Sequence, residues 1–200
     1  MLNEREIMAE FEAAEAILRG HFVLSSGLHS DTYMQCARVL MKPARAGKLC
    51  AALAEKVRTA LGKTSIDMVV APAMGGVIVG YEMGRQLGVE TIFCERENGV
   101  FALRRGFSIA PGTKILLVED VVTTGKSSLE TVECIKAQGG NVVAEASLVD
   151  RSGGAYDLPF PLIPLLKLDI KTYAADKVPA QLAAIPVTKP GSRWLKQAGG

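Results

Sequence analysis

The chain reads as an α/β protein: a central parallel sheet flanked by helices. Three observations predict this. Short apolar runs of strand length recur between residues 67 and 149, each followed by a segment of helical spacing. Strands that alternate with helices imply crossover connections and hence parallel pairing. Gly and Pro mark the joints between these segments.

The elements follow in order. Ile7, Phe11, Ala14 and Leu18 recur at helical spacing, so a helix is expected over 4–19, stopped by Gly20. Phe22–Leu24 and Thr32–Met34 read as two short extended pieces around the turn Ser25-Ser26-Gly27-Leu28. Pro43 suits the first turn of a second helix that runs to about Leu61. Asp67–Ala71 reads as a buried strand, and Ala73-Met74-Gly75-Gly76 as a turn into a helix reaching about Leu87. Thr91–Cys94 is the next strand. Arg96–Gly106 has no clean period and reads as a loop or hairpin, with Asn98-Gly99 as a turn. Lys114–Val118 is a strand, a helix runs on to Gln138 before Gly139-Gly140, and Asn141–Val149 returns as a strand. The proline-rich tail holds one strand, Leu162–Leu168, and a short helix near Pro179–Ala184.

Two hundred residues, 48% hydrophobic and 22% charged, suit one domain: a core over about 40–150, with a hood made from about 20–36 and the tail 151–200. A net charge of +2 with dispersed Lys and Arg gives no footprint for nucleic acid. Cys36, Cys50, Cys94 and Cys134 are far apart in sequence and form no C-x-x-C pair, so they read as reduced, packed thiols. The acidic start Met1-Leu2-Asn3-Glu4-Arg5-Glu6 is unlike a signal peptide, and no segment is apolar enough to span a bilayer. A cytoplasmic protein without membrane contact is expected. His21 and His29 read as surface or turn residues.

Function is most legible at Ile115–Ser128. A buried strand ends in Glu119 and Asp120. After Val121 and Val122 comes the small-residue loop Thr123-Thr124-Gly125-Lys126-Ser127, and then a helix begins. The turn offers amides, hydroxyls and a helix dipole to a phosphate. Two carboxylates there would repel that phosphate unless they faced another part of the ligand. Ribose hydroxyls, or magnesium carried by the ligand, fit them. The implied ligand is a sugar phosphate.

This segment resembles the signature of the type I phosphoribosyltransferases, which bind 5-phosphoribosyl-1-diphosphate (PRPP). The resemblance implies that fold, with the acidic pair on the ribose 2- and 3-hydroxyls and Thr123–Ser127 on the 5-phosphate. Ala73, Met74, Gly75 and Gly76 stand where that family has a diphosphate loop. From the residues alone, a diphosphate cradle and plain helix–sheet packing both remain open there. Arg96 and Arg105 suit a diphosphate, with Arg105 the candidate catalytic cation on a loop that closes. A solvated hairpin with ordinary surface arginines is the alternative.

Gly20–Tyr33 narrows the resemblance to the orotate phosphoribosyltransferases. In that family a strand-turn-strand hood covers the base. The resemblance implies Ser26 and Gly27 at the orotate carboxylate, Tyr33 and Met34 along the ring, Thr123 close by, and Arg151 as the cation that meets orotate. An ion pair with Asp150 is the structural alternative for Arg151. Thr172-Tyr173 and Lys189–Arg193 resemble the branch named for its Thermus member. The usual lysines of the hood turn and the Pro-Ala segment are replaced by Ser25 and Met74, and the catalytic loop is shorter, without the family's Lys and His. The family further implies Mg2+ held mainly by PRPP with no direct protein ligand, and a homodimer sharing an active-site loop. The rival readings are transfer to a purine or other base, and a non-catalytic PRPP sensor.

Overall fold

A computed structural model describes residues 2–24, 27–154 and 158–189. Helix α1 (Glu4–Ala13) opens with a capping box. Asn3 Oδ1 accepts from the Glu6 amide at 2.9 Å, and Glu6 accepts from the Asn3 amide at 2.8 Å. It buries Ile7 and Phe11. The helix does not continue to Arg19. It stops at Ala14, Glu15 takes a φ of +48°, and Ile17–Val23 forms strand β1. The reason is long-range: Leu18 sits opposite Tyr33 and Arg19 opposite Thr32 across an antiparallel ladder with β2 (His29–Met34). Tertiary pairing overrides the helical spacing of Leu18.

A short helix α2 (Cys36–Leu40) that the sequence did not reveal follows β2. Helix α3 (Pro43–Leu61) has the expected bounds, with Pro43 in its first turn. Then come β3 (Met68–Pro72), α4 (Gly75–Leu87), β4 (Glu90–Glu97), β5 (Val100–Leu103), β6 (Lys114–Val122), α5 (Lys126–Ala137), β7 (Asn141–Asp150) and β8 (Leu162–Lys167). The tail adds β9 (Thr172–Tyr173), α6 (Ala180–Ala183) and β10 (Val187–Thr188).

The main sheet runs β5-β4-β3-β6-β7-β8. All its pairs are parallel except β4 with β5, an antiparallel edge hairpin. Strand β6 lies inside the sheet, and Ile115, Leu116, Leu117 and Val118 are fully buried. The larger core, built from Phe11, Leu49, Leu53, Met83 and Leu148 among others, lies on one face. A smaller one, with Val70, Cys94, Phe101 and Ile135, packs α5 on the other. Burial on both faces is what a parallel sheet requires.

A second, four-stranded sheet of order β10-β1-β2-β9 joins the N-terminal segment to the tail. His21 is buried here, not on the surface as expected. Its Nε2 lies 2.6 Å from His29 Nδ1, and its Nδ1 lies 3.1 Å from the carbonyl oxygen of Ile185.

Candidate active site

Three strand ends converge, as the connectivity implies for a parallel sheet. Val70 of β3 pairs with Leu117 of β6, and Val122 of β6 with Asp150 of β7, so Ala73, Thr123 and Arg151 each leave the same edge. The Arg151 amide donates to Val122 O at 2.8 Å, which fixes the start of that loop against β6.

Glu119 is only 7% exposed. Burial first, then the neighbouring Asp120 and Glu145 carboxylates, push its carboxyl up to about 9. Burial also raises Asp120, opposed by the Val121 amide that donates to Oδ1 at 2.9 Å. Gly75 touches this pair: a Cβ there would fall 2.7 Å from Asp120 Oδ1. At Gly76 a Cβ would sit 3.0 Å from Val118 O and 3.1 Å from the Ala71 side chain. The turn glycines therefore let the N-terminus of α4 close onto the end of β6. Packing explains Gly76, while Gly75 sets the diphosphate-loop candidate against the acidic pair. Met74 points outward at 85% exposure, and the Ala73–Met74 peptide is cis.

Residues 119–128 line a cavity of about 230 Å3. Gly125 is the N-cap of α5 with a φ of +68°, a left-handed turn that favours glycine. The amides of the first turn of α5 have no acceptor within their own helix and can donate to an anion; that of Lys126 reaches Thr124 Oγ1 at 3.4 Å. Ser128 does not join the cradle, because its hydroxyl donates to buried Glu145 at 2.6 Å.

On the other side stand Tyr33, Cys36 and Arg151. Arg151 Nε is buried without a hydrogen-bond partner among the described residues. Asp150 does not supply one through Oδ1, which accepts from the Ser152 amide at 2.8 Å and hydroxyl at 2.7 Å. Burial holds the Arg151 guanidinium below its usual range, opposed by the nearby Cys36 and Tyr33. Burial raises the Tyr33 phenol, with Arg151 and Asp120 acting on it in opposite directions. Four elements thus bring Tyr33, Cys36, Asp120 and Arg151 into one electrostatic neighbourhood. Cys36 was not foreseen; its Sγ lies 3.9 Å from Asp120 O, and only its place just after the hood hinted at it. Met34, expected along the ring, turns its side chain into the core at 6% exposure, which leaves its backbone for that role. Gly27 is exposed; Ser26 and the segment 190–193 lie outside the described residues.

The expected loop 96–106 is an ordered hairpin at its start. Asn98 and Gly99 have φ of +51° and +86°, which fits a two-residue turn between the paired Glu97 and Val100. Its charges are balanced pairwise, because each arginine has an acid. Arg96 bridges Glu130 on α5 and lies 4.2 Å over the Phe101 ring. Arg104 faces Glu97 at 3.4 Å, and Arg105 grips Glu95 with two bonds of 2.6 and 3.0 Å. None of these arginines lines the cavity at the end of β6. Arg105 itself sits at φ +59°, an uncommon place for a residue with a side chain.

A parallel sheet with an acidic pair and a glycine turn into a helix N-terminus at the end of a middle strand defines an α/β protein of the kind that binds ligands beyond its strand ends. Comparison with known proteins specifies which. The phosphoribosyl transferase domain matches residues 40–173. The orotate phosphoribosyltransferase of Rhizorhabdus wittichii is 57% identical over 192 residues, covering 96% of this chain and 97% of that one. That of Sphingopyxis alaskensis is 59% identical over 193 residues, 96% and 98% of the two chains. The crystal structure of orotate phosphoribosyltransferase from Aeropyrum pernix superposes with a TM-score of 0.67 at 26% identity, over 81% of this chain and 93% of that one. The chain belongs to the phosphoribosyl transferase family and, within it, to the orotate phosphoribosyltransferases.

Among the described residues no group of three His, Cys, Asp or Glu side chains could hold a metal ion, and no helix is long and apolar enough to cross a membrane.

Proposed function

We propose that this chain transfers the 5-phosphoribosyl group from PRPP to N1 of orotate, giving orotidine 5'-phosphate and diphosphate, a step of pyrimidine synthesis. The observation that carries the choice of base is Arg151. A half-buried cation whose Nε is buried and unpartnered among the described residues, beside Tyr33, is costly unless an anion completes it. The orotate carboxylate is such an anion. A purine or uracil would leave it incomplete.

In this reading Asp120 and Glu119 hold the ribose hydroxyls, and the turn from Val121 to Ser127 holds the 5-phosphate. Glu119, neutral over the ordinary pH range in the empty site, can donate a hydrogen bond as well as accept one. Ala73–Gly76 and Arg96 face the diphosphate. Tyr33 packs along the pyrimidine, Ser26, Gly27 and the Met34 backbone close over it, and Thr123 stands between base and ribose. Mg2+ would be held mainly by PRPP without a direct protein ligand, and the carboxyl oxygens of Glu119 and Asp120 give its neighbourhood the hard acceptors that suit it. When bound, the ion supplies charge neutralisation for the diphosphate. The protein's part is to orient N1 opposite the leaving group and to surround C1 with carboxylates as positive charge develops there. Arg105 must exchange Glu95 for diphosphate to take part. No protein nucleophile is required.

We read the working form as a cytoplasmic homodimer. Met74, Ile78 and Tyr81 are 85%, 54% and 69% exposed at i, i+4 and i+7 on α4, an apolar stripe beside the diphosphate turn that a second copy would cover. A loop shared between the two copies would be the β4–β5 hairpin.

The test is a spectrophotometric screen of orotate, uracil, adenine, guanine and hypoxanthine with PRPP and Mg2+. Consumption of orotate alone is expected. Turnover of a purine in its place, or of no base at all, overturns the reading.

A further inference from the structure

Cys94 and Cys134 are 40 residues apart in sequence, yet their sulfurs lie 3.5 Å from each other. Cys94 is fully buried on β4, while Cys134 on α5 is partly exposed. Cys36 and Cys50, the remaining cysteines, are both buried. We propose that Cys134 and Cys94 form a reversible disulfide, and that this bond is a redox modification site coupled to the phosphate end of the active site.

The chemistry needs hydrogen peroxide and nothing else. The Cys134 thiolate attacks the peroxide oxygen, breaking the O–O bond to give Cys134 sulfenic acid and hydroxide. The Cys94 sulfur then displaces the sulfenic oxygen, which leaves as water. The two thiols have lost two electrons and two protons, and one peroxide has become two waters. A low-molecular-weight thiol reverses the bond by exchange at the partly exposed Cys134 sulfur. The order of attack follows access. Cys94 is sealed in the small core between β4 and α5, where burial and then Cys134 hold its thiol above the usual range, so it serves as the resolving partner.

The coupling follows from what the two elements carry. A disulfide requires about 2.05 Å between sulfurs, so one or both must move by roughly 1.5 Å. Helix α5 begins at the phosphate turn, and Cys134 lies two turns along it. Just past Cys94, strand β4 carries Glu95 and Arg96 into the hairpin. Arg96 already ties that hairpin to Glu130, one turn before Cys134. Drawing α5 toward β4 displaces the phosphate turn and fixes the hairpin base at once. Misplacement of about 1 Å near reacting groups costs up to roughly a hundredfold.

This second half rests on the phosphoribosyl-transfer reading; the first does not. The experiment treats wild type, Cys134→Ser and Cys94→Ser with stoichiometric hydrogen peroxide, then with dithiothreitol. Expected for wild type are a species about 2 Da lighter, the two hydrogens lost on joining the thiols, and a denatured thiol count falling from four to two. The Cys94 and Cys134 peptides should be joined in a proteolytic map, and the KM for PRPP should rise roughly tenfold and recover with dithiothreitol. Both variants should keep their KM under peroxide. The peptide map of wild type stands even if a variant fails to fold. If the thiol count stays at four, or Cys134 gains oxygen without cross-linking, the modification site is wrong. If the cross-link forms and PRPP kinetics do not change while the reduced enzyme turns over orotate, the coupling is wrong. If the reduced enzyme has no orotate activity, it is the functional reading that fails, and the thiol count still decides the disulfide.

Discussion

The end of β6 and the β4–β5 hairpin treat charge in opposite ways. At β6, buried Glu119 and half-buried Asp120 stand side by side with no cation bonded to either among the described residues, and Arg151 nearby keeps an unpartnered Nε. In the hairpin, Arg96, Arg104 and Arg105 are exposed and each already holds a carboxylate. Buried groups that lack partners cost stability, and a fold tolerates them where a ligand completes them. Exposed pairs cost little and contribute little. On the proposed reading, the first region is a site built for its ligand in advance, and the second must give up its own contacts before it can take new ones. Substitutions should therefore act strongly at β6 and weakly at the hairpin.

The largest effect is expected for Asp120→Asn. Charge-assisted hydrogen bonds to the sugar contribute about 1.5–3 kcal/mol each. At about 1.4 kcal/mol per decade, kcat/KM should fall roughly ten- to hundredfold. Wild-type turnover by a folded variant would remove the ribose from Asp120 and erase the contrast.

Arg151→Ala comes next. It should raise the KM for orotate about tenfold or more, the loss of one charge-assisted contact, and leave that for PRPP nearly unchanged. Its melting temperature should not fall, since a half-buried, incompletely bonded cation is removed. Equal movement of both KM values, or an unfolded variant, would make Arg151 structural and favour a purine substrate.

Much of this was readable in the chain because it is local. Glu119 to Ser127 is one continuous segment, so strand, acidic pair, turn and helix appear in order, and Arg151 directly follows an apolar run. The unreadable parts depend on partners distant in sequence. Leu18 looked helical until Tyr33 paired with it, and the Arg96–Glu130 and Cys94–Cys134 contacts span 34 and 40 residues. His21 reaches Ile185 across 164 residues. Spacing rules see one element at a time, so they place strands and turns but not what a side chain meets.

Glu119→Gln tests the same region through stability instead of turnover, with an effect that depends on pH. The native carboxyl titrates near 9, far above an ordinary glutamate, so between pH 4.5 and 9 the folded protein holds a proton that the unfolded chain has released. Stability from this group is complete below pH 4.5 and is lost as pH rises toward 9. Glutamine stays neutral throughout. The variant should melt above wild type by a margin that grows from pH 5 to pH 9, at about 2–4 °C per kcal/mol for a chain of this size. A constant margin, or one that shrinks with pH, would mean Glu119 is ionised in the empty site.

The smallest effects belong to the hairpin. Arg105 is exposed and already held by Glu95, so Arg105→Ala should leave the melting temperature unchanged. It should lower kcat severalfold with PRPP affinity in the ligand-free form preserved, because the diphosphate contact replaces Glu95 only on the way to the transition state. Glu95→Gln should act in the reverse sense, freeing Arg105 and tightening diphosphate, with the gain fading as salt screens it. Amide exchange across Asn98–Arg105 reports the exchange of partners directly: protection should rise when PRPP and Mg2+ bind. If protection is the same with and without them and Arg105→Ala keeps its kcat, the hairpin is a static edge of the sheet. If Arg105→Ala instead loses as much as Asp120→Asn, paired and unpaired charges matter equally here, and the contrast between the two regions fails.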